Sequence, residues 1–265
     1  MNNPIGIFDS GVGGLTVLRA IKKMLPMEQL IYLGDTARVP YGNKSKETIV
    51  RYSIENTKFL MQFNIKMLVI ACNTSTAMSI EILRNMFQIP IIGVIEPGAK
   101  RAVEVTKNKR IGVIGTVATI KSKAYQNIIR SYEKKAIIFA KPCPLFVPLV
   151  EEGLVKGPVA EAVIEMYLKD FKIKNIDTLV LGCTHYPLLK QTIEKFFDKK
   201  IQIVDSAEET AKIVKRVLEE RKLANTSEYK NDVFFVTDAA ERFLKVGNEI
   251  MRGILKEVKT VQVGK

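Results

Sequence analysis

The chain has 265 residues, 47% of them hydrophobic, and a net charge of +13. This length and apolar content suffice for one large or two ordinary domains with hydrophobic cores. No apolar run approaches the roughly 18 residues of a membrane span, and the first residues lack the basic and apolar regions of a signal peptide. We therefore expect a cytoplasmic protein that does not insert into a membrane.

The net charge and the number of cysteines indicate the class of protein more closely. The lysines are dispersed, without an aromatic-rich motif, zinc-finger spacing or a basic tail. They therefore favour a basic enzyme surface, which can attract a small anionic substrate, over nucleic-acid binding. Three cysteines are an odd number and too few for a disulfide scaffold. We expect reduced thiols.

Strand and helix patterns alternate along most of the chain, which is typical of βαβ units. In the first part, strands are predicted at 5–9 and 30–33, in the apolar run that ends at Cys72, and at 90–95. A first helix is predicted to carry Leu15, Leu18, Ile21 and Leu25 on one face. Two further helices are predicted from Ser45 to about Phe63 and through Ile80, Leu83 and Phe87.

The second part begins near Arg110 and repeats the pattern, with strands near 136–140, 177–182 and 201–204. The proline-rich stretch 141–148 is predicted to be an ordered loop that leads to Glu151, Glu152 and Gly153. Residues 222–230 are predicted to form a surface connection. The chain then continues with a strand at 233–236 and a closing helix marked by Phe243, Val246, Ile250 and Ile254.

Three segments recur at nearly constant spacing, which predicts two α/β halves related by duplication. Residues 5–10 resemble 111–116, residues 67–74 resemble 178–185, and residues 90–95 resemble 200–205. The last strand and helix are predicted to complete the first half. We therefore predict a discontinuous first domain, 1–97 plus 208–265, and a second domain, 98–207, each with a parallel sheet.

Cys72 and Cys183 occupy equivalent places, each at the end of a buried strand and followed by hydroxyl or amide side chains. Open α/β sheets bind ligands at the carboxyl ends of their strands. A single free cysteine is more often an inert buried residue, but two at equivalent strand ends indicate a function. Zinc would need two further ligands, so we expect no metal. Across a pseudo-twofold axis the two thiols would reach one cleft from opposite sides.

Three nearby features could support the thiols. His185 is the only histidine, so any step that needs an imidazole near neutral pH must use it. Asp9 ends the first strand and is either a capping residue or a base or proton relay near Cys72. The turn 11–14 fails as a dinucleotide fingerprint because Thr16 replaces its third glycine, but its glycines could let an anion approach backbone N–H groups.

The loop 34–43 is too rich in hydrogen-bonding groups for a mere connection. Cys143, flanked by prolines, is predicted to be structural.

Two thiols across a cleft suit the inversion of a carbon centre, because one takes a proton from one face while the other gives a proton to the opposite face.

Five motifs together resemble the bacterial glutamate racemase family. They lie at 8–16, 32–42, 71–74, 143–153 and 182–188. The resemblance implies an α/β fold of two flavodoxin-like domains with the active site between them. It also implies a cofactor-independent enzyme that interconverts L- and D-glutamate and supplies D-glutamate for peptidoglycan synthesis.

The resemblance also assigns roles to residues. It implies that Cys72 removes the α-proton of the D-isomer, that Cys183 acts on the L-isomer, and that Asp9, Glu151 and His185 support the acid–base chemistry. Substrate contacts map to Asp9, Ser10, Tyr41, Gly42, Asn73, Thr74, Thr184 and His185, with Thr116 and Thr119 added from the second half. We expect glutamate as the bound partner, a homodimer, and no cofactor.

Two departures from the family accompany the motifs. The chain has Ser75-Thr76-Ala77 where the family often has an alanine-containing run, a difference that we expect to matter little. The chain begins close to its first predicted strand, unlike members activated by a peptidoglycan precursor, so we expect no such activation.

Two other functions stay open. Aspartate racemase shares the fold and the two cysteines, although the motifs at 35–42 and 143–153 favour glutamate. A non-catalytic module that binds a partner or DNA through its basic surface is the alternative of another class.

Overall fold

A computed structural model describes residues 3–225 and 231–264. The strands in this part are β1 (Ile5–Asp9), β2 (Leu30–Gly34), β3 (Met67–Ile70), β4 (Ile91–Gly93), β5 (Arg110–Gly115), β6 (Ile137–Pro142), β7 (Thr178–Gly182), β8 (Gln202–Val204), β9 (Val233–Val236) and β10 (Lys259–Thr260). The α-helices are α1 (Leu15–Met24), α2 (Lys46–Met61), α3 (Asn73–Met86), α4 (Ile95–Val105), α5 (Val117–Lys121), α6 (Ala124–Tyr132), α7 (Phe146–Glu151), α8 (Pro158–Ile173), α9 (Lys190–Phe196), α10 (Ala207–Glu220) and α11 (Ala240–Met251).

Within the described residues the strands form two sheets in which every pairing is parallel. The strand orders are β10-β9-β2-β1-β3-β4 and β6-β5-β7-β8. If the strands of each half are numbered along the chain, both β2-β1-β3-β4 and β6-β5-β7-β8 run in the order second, first, third, fourth. The two-domain α/β fold with a repeated sheet is therefore confirmed.

The last strands return to the first sheet, since β9 pairs with β2, as the sequence predicted for the final unit. The domain boundaries themselves stay a prediction. Strands β1, β3 and β7 are buried along their whole length, because helices cover both faces of each sheet. This arrangement leaves the carboxyl ends of the strands as the place where polar side chains gather.

The prediction that residues 141–148 form a loop was wrong. Strand β6 continues to Pro142, and Pro148 is the third residue of α7. An edge strand such as β6 tolerates a proline because its outer side needs no ladder hydrogen bond. The first turn of a helix also tolerates one, because its N–H groups have no partner within the helix.

Smaller differences occur near other element ends. The predicted strand 90–95 is shorter, and α4, which follows it, was not predicted. Ile254 does not belong to α11 and is exposed, because Arg252 and Gly253 adopt left-handed backbone conformations that end the helix. Residues 226–230 of the predicted surface connection lie outside the described residues. No helix in the described part is long and apolar enough to cross a membrane.

Candidate active site

The carboxyl ends of strands from both sheets border one small cavity of about 20 Å³. Its lining consists of Ser10, Val39, Pro40, Tyr41, Gly42, Cys72, Asn73, Thr74, Thr116, Val147, Cys183, Thr184 and His185. Both predicted cysteines are in this set, with most of the predicted substrate contacts. Asp9 and Thr119 lie behind the lining, and Glu151 approaches from the end of α7.

Cys72 follows β3 and caps the start of α3. Its sulfur accepts a hydrogen bond from the N–H of Ser75 at 3.5 Å, and its thiol donates to Ser10 Oγ at 3.8 Å. Burial and the nearby charge of Asp9 raise the pKa of Cys72 to about 12. Cys72 is therefore a protonated thiol at neutral pH.

Cys183 has a different environment, built from His185 and Glu151. His185 Nδ1 lies 3.9 Å from Cys183 Sγ, and Nε2 lies 3.3 Å from Glu151 Oε1. Burial alone would lower the pKa of His185, but the contacts with Cys183 and Glu151 outweigh it and raise that pKa to about 10. The hydrogen bond with His185 lowers the pKa of Glu151. His185 is therefore an imidazolium at neutral pH, and it lies beside the Cys183 sulfur.

Asp9 joins the two halves at the base of the cavity and is fully buried. Its Oδ2 accepts a hydrogen bond from the N–H of Gly11 at 3.1 Å, and its Oδ1 accepts one from Thr184 Oγ1 at 3.2 Å. Burial raises the pKa of Asp9, against the opposing charge of His185. Asp9 thus anchors the glycine-rich turn and also acts electrostatically on both thiol environments.

The glycine-rich turn 11–14 contributes no residue to the described cavity lining, and the anion binding expected of it stays a prediction. A Cβ atom at Gly13 would lie 2.6 Å from Thr184 Oγ1, and one at Gly14 would lie 2.4 Å from the Cβ of Asp9. Gly13 lets the first half pack closely against the turn that carries Thr184 and His185, and Gly14 leaves room for Asp9 and Tyr32 within the first half.

Threonine hydroxyls from both halves meet on another side of the cavity. Thr74 Oγ1 lies 2.9 Å from Thr116 Oγ1 and 3.1 Å from Thr119 Oγ1. Thr116 Oγ1 also lies 3.0 Å from Thr119 Oγ1. Thr119 therefore positions the other two rather than lining the cavity.

The loop 34–43 holds Tyr41 at the cavity through buried hydrogen bonds. The Tyr41 hydroxyl donates to Asp35, which is fully buried. Arg38 Nε lies 2.7 Å from Asp35 Oδ2, and Asn56 Nδ2 donates to the Tyr41 hydroxyl at 3.1 Å. Asp35 lies in the loop that the sequence singled out, although it was not named as a site residue. Asn56 was not predicted, because it lies within α2, far along the chain from the motifs of the site.

Tyr125 is a second residue that the sequence did not reveal. Its hydroxyl donates to Asn73 Oδ1 at 2.7 Å, and Asn73 Nδ2 has no partner among the described residues. The Tyr125 ring packs against Gly182, so that a Cβ atom at Gly182 would lie 3.0 Å from it. The small residue before Cys183 was the signal that a bulky side chain must pack there.

Cys143 does not line the cavity, and the described residues form no metal site. Cys143 lies in the core of the second half rather than at the cavity, and burial raises the pKa of its thiol. In residues 3–225 and 231–264, no three His, Cys, Asp or Glu side chains come together as a metal site.

Comparison with known proteins places the chain in a family. The family model described as Asp/Glu/Hydantoin racemase matches residues 5–214. The chain belongs to this family. The matched region includes every residue of the cavity lining.

Relatives in this family match nearly the whole chain. The glutamate racemase of Geobacter metallireducens is 51% identical over 260 residues, which are 98% of this chain and 96% of that protein. The crystal structure of glutamate racemase isoform RacE1 from Bacillus anthracis has a TM-score of 0.94 and 38% identity, covering 98% of this chain and 97% of its own. Glutamate racemase from Francisella tularensis, solved in complex with D-glutamate, has a TM-score of 0.93 and 39% identity, covering 98% of each chain.

An aspartate racemase from Picrophilus torridus is a more distant match. It has a TM-score of 0.58 and 20% identity, and covers 84% of this chain and 100% of its own. At this identity the match shows a shared fold alone.

Proposed function

We propose that this protein interconverts L-glutamate and D-glutamate, with Cys72 and Cys183 as the two acid–base groups. The observation that carries the proposal is that two thiols from equivalent strand ends line one cavity in opposite electrostatic surroundings. Relatives that share about half of their residues with this chain, over nearly its whole length, are glutamate racemases, which supports glutamate as the substrate.

The proton transfers follow from the two environments. The Cys183 thiolate, stabilised by the His185 imidazolium, removes the α-proton of L-glutamate from one face. The Cys72 thiol gives its proton to the opposite face, so that D-glutamate forms with Cys183 protonated and Cys72 as the thiolate. The reverse reaction starts from that state. One proton leaves carbon and one returns, so the chain's own thiols suffice.

At neutral pH glutamate carries two carboxylates and one ammonium group. No lysine or arginine is among the described lining residues of the cavity, so His185 is the basic side chain that these residues offer to the carboxylates. Hydroxyls, the Asn73 amide and the N-terminus of the 14-residue helix α3 supply the hydrogen-bond donors and the positive dipole end. Such donors also stabilise charge that develops on the α-carboxylate as the α-proton leaves. Room for about one water molecule in the cavity of about 20 Å³ means that the two halves must separate to admit glutamate.

The cellular setting is also a proposal. The chemistry requires reduced thiols, and Cys72, Cys143 and Cys183 are all free. A reducing cytoplasm meets that requirement, and D-glutamate made there would supply peptidoglycan synthesis.

We also propose a homodimer, supported by an uncovered face of α8. Val159, Met166 and Ile173 recur at seven-residue spacing on this helix and are 54%, 49% and 86% exposed. Light scattering should report a dimer for the native chain and a monomer for Met166→Lys.

The central test follows the α-hydrogen of L-glutamate by proton NMR in D₂O, with chiral analysis and L-aspartate in parallel. We expect deuterium at the α-carbon and accumulation of D-glutamate, with no change in aspartate. Turnover of aspartate alone would indicate an aspartate racemase. No exchange with either substrate, from folded protein with reduced thiols, would contradict a racemase.

Cysteine variants then test the two-base assignment. Cys72→Ser and Cys183→Ser should each abolish net racemisation while the fold is retained. Cys143→Ala is the matched control, because Cys143 does not line the cavity, and it should stay active. Near-normal turnover in either serine variant would refute the assignment.

A further inference from the structure

Ser75 carries a buried hydroxyl with no obvious role in the fold. It is the third residue of α3 and is 0% exposed. Its Oγ has no hydrogen-bond partner among the described residues, whereas its N–H donates to Cys72 Sγ at 3.5 Å. A buried hydroxyl without a well-formed hydrogen bond destabilises a fold. The neighbouring Cys72 sulfur is a weak acceptor as a thiol and becomes a stronger one when it loses its proton.

The position of Ser75 points its side chain at the thiol. Side chains in a helix lean toward its N-terminus, and Cys72 caps the start of α3. The Ser75 hydroxyl therefore lies beside the Cys72 sulfur, where it favours the charged form of that thiol.

The other groups around Cys72 oppose a thiolate. Burial, the charge of Asp9 and the charge of Cys183 all act to raise the pKa of Cys72. Ser10 Oγ accepts the proton of the neutral thiol. Unlike Cys183, Cys72 has no imidazolium beside it, although the proposed reaction makes it a thiolate in every cycle.

We propose that the Ser75 hydroxyl donates a hydrogen bond to the Cys72 sulfur whenever that sulfur is a thiolate. Ser75 thereby does for Cys72 what His185 does for Cys183. The catalytic meaning of this bond rests on the proposed racemisation, in which Cys72 takes the α-proton of the D-isomer. Ser75, part of the departure Ser75-Thr76-Ala77 that we expected to matter little, then has a function.

The test measures thiolate formation directly, without substrate. Native protein and Ser75→Ala are treated briefly with iodoacetamide between pH 7 and 9, and alkylation of Cys72 and Cys183 is quantified in the same molecules by peptide mass spectrometry. Because both thiols border one cavity, Cys183 reports how often the cavity opens. The Cys72-to-Cys183 rate ratio should fall by about tenfold in Ser75→Ala, as expected for one lost hydrogen bond to a charged group.

Ser79→Ala is the matched control. Ser79 is equally buried on the same helix, but its hydroxyl donates to the Ser75 carbonyl at 2.6 Å and not to sulfur, so the ratio should stay at the native value. An unchanged ratio in Ser75→Ala, or an equal fall in Ser79→Ala, would overturn the proposal. Because alkylation needs no glutamate, this result stands apart from whether the protein racemises it.

Discussion

Replacing Gly13 with alanine tests how closely the two halves must approach for the site to work. The added Cβ atom would lie 2.6 Å from Thr184 Oγ1, 2.7 Å from His185 Nδ1 and 2.8 Å from the carbonyl carbon of Thr184. The two side chains could rotate, but the backbone carbon cannot. Restoring an ordinary contact of 3.4 Å from 2.8 Å requires the turn of the second half to shift by 0.6 Å.

This shift acts on the groups that surround Cys183. Thr184 already lies 3.2 Å from Asp9, so the hydrogen bond between the halves weakens and His185 moves with its backbone. Misplacing reacting groups by about 1 Å can cost about 100-fold in rate, so we expect kcat to fall by roughly 10- to 100-fold. Overpacking should also lower the free energy of unfolding by about 1–3 kcal/mol.

Circular dichroism of glutamate at several concentrations gives kcat and KM, and urea unfolding gives stability. Gly11→Ala is the matched control in the same turn, because its Cβ would lie 3.5–3.9 Å from Val39, Glu151 and His185, which is ordinary contact. It should keep nearly native kcat. A native kcat in Gly13→Ala, or equal losses in both variants, would refute the reasoning.

Two further variants test the charges and the hydrogen bonds of the site. Glu151→Gln removes a carboxylate that helps to raise the pKa of His185 from 6.5 to about 10. A raised histidine pKa stabilises the fold below 6.5, and this stability is lost as the pH rises toward 10. Between these two pH values, urea unfolding should therefore show a smaller loss of stability for Glu151→Gln than for the native protein. Equal losses of stability in the two proteins would contradict this reasoning. Tyr125→Phe leaves Asn73 without its donor, which should cost about 1–3 kcal/mol of stability and raise KM more than it lowers kcat. Tyr186→Phe, whose hydroxyl bonds the carbonyl of Cys143, should lose similar stability with KM unchanged, and an unchanged KM in Tyr125→Phe would exclude the positioning role.

Local sequence signals predicted the frame of the site. The apolar runs before Cys72 and Cys183 are buried strands, and polar residues directly after such strands had to lie at the sheet edge. Repetition of these segments predicted the repeated strand order. The residues next to the two cysteines therefore reached the cavity as predicted.

Contacts between distant elements could not be predicted in the same way. Tyr125 resembles any aromatic residue on an amphipathic helix, and only the packing of the two halves brings its hydroxyl to Asn73. The sequence placed Gly13 in a glycine-rich turn, but its close contact with Thr184 arises only from the packing of the two halves. The proline rule failed at Pro148 because it depends on position within the helix, which the sequence did not define.

The repeated fold gives the two thiols equivalent places, yet the proposed reaction needs them in opposite protonation states. The repeat is broken where this matters: His185 follows Cys183 at the position that Thr74 holds after Cys72, and Asp9 ends β1 where Gly115 ends β5. In the proposed reaction, an imidazolium beside one sulfur and a carboxylate near the other let one thiol act as the base and the other as the acid. The thiol that begins as the acid must still exist as a thiolate after each turnover. The positive end of α3 and, on our proposal, the Ser75 hydroxyl stabilise that state, so the site can run in both directions.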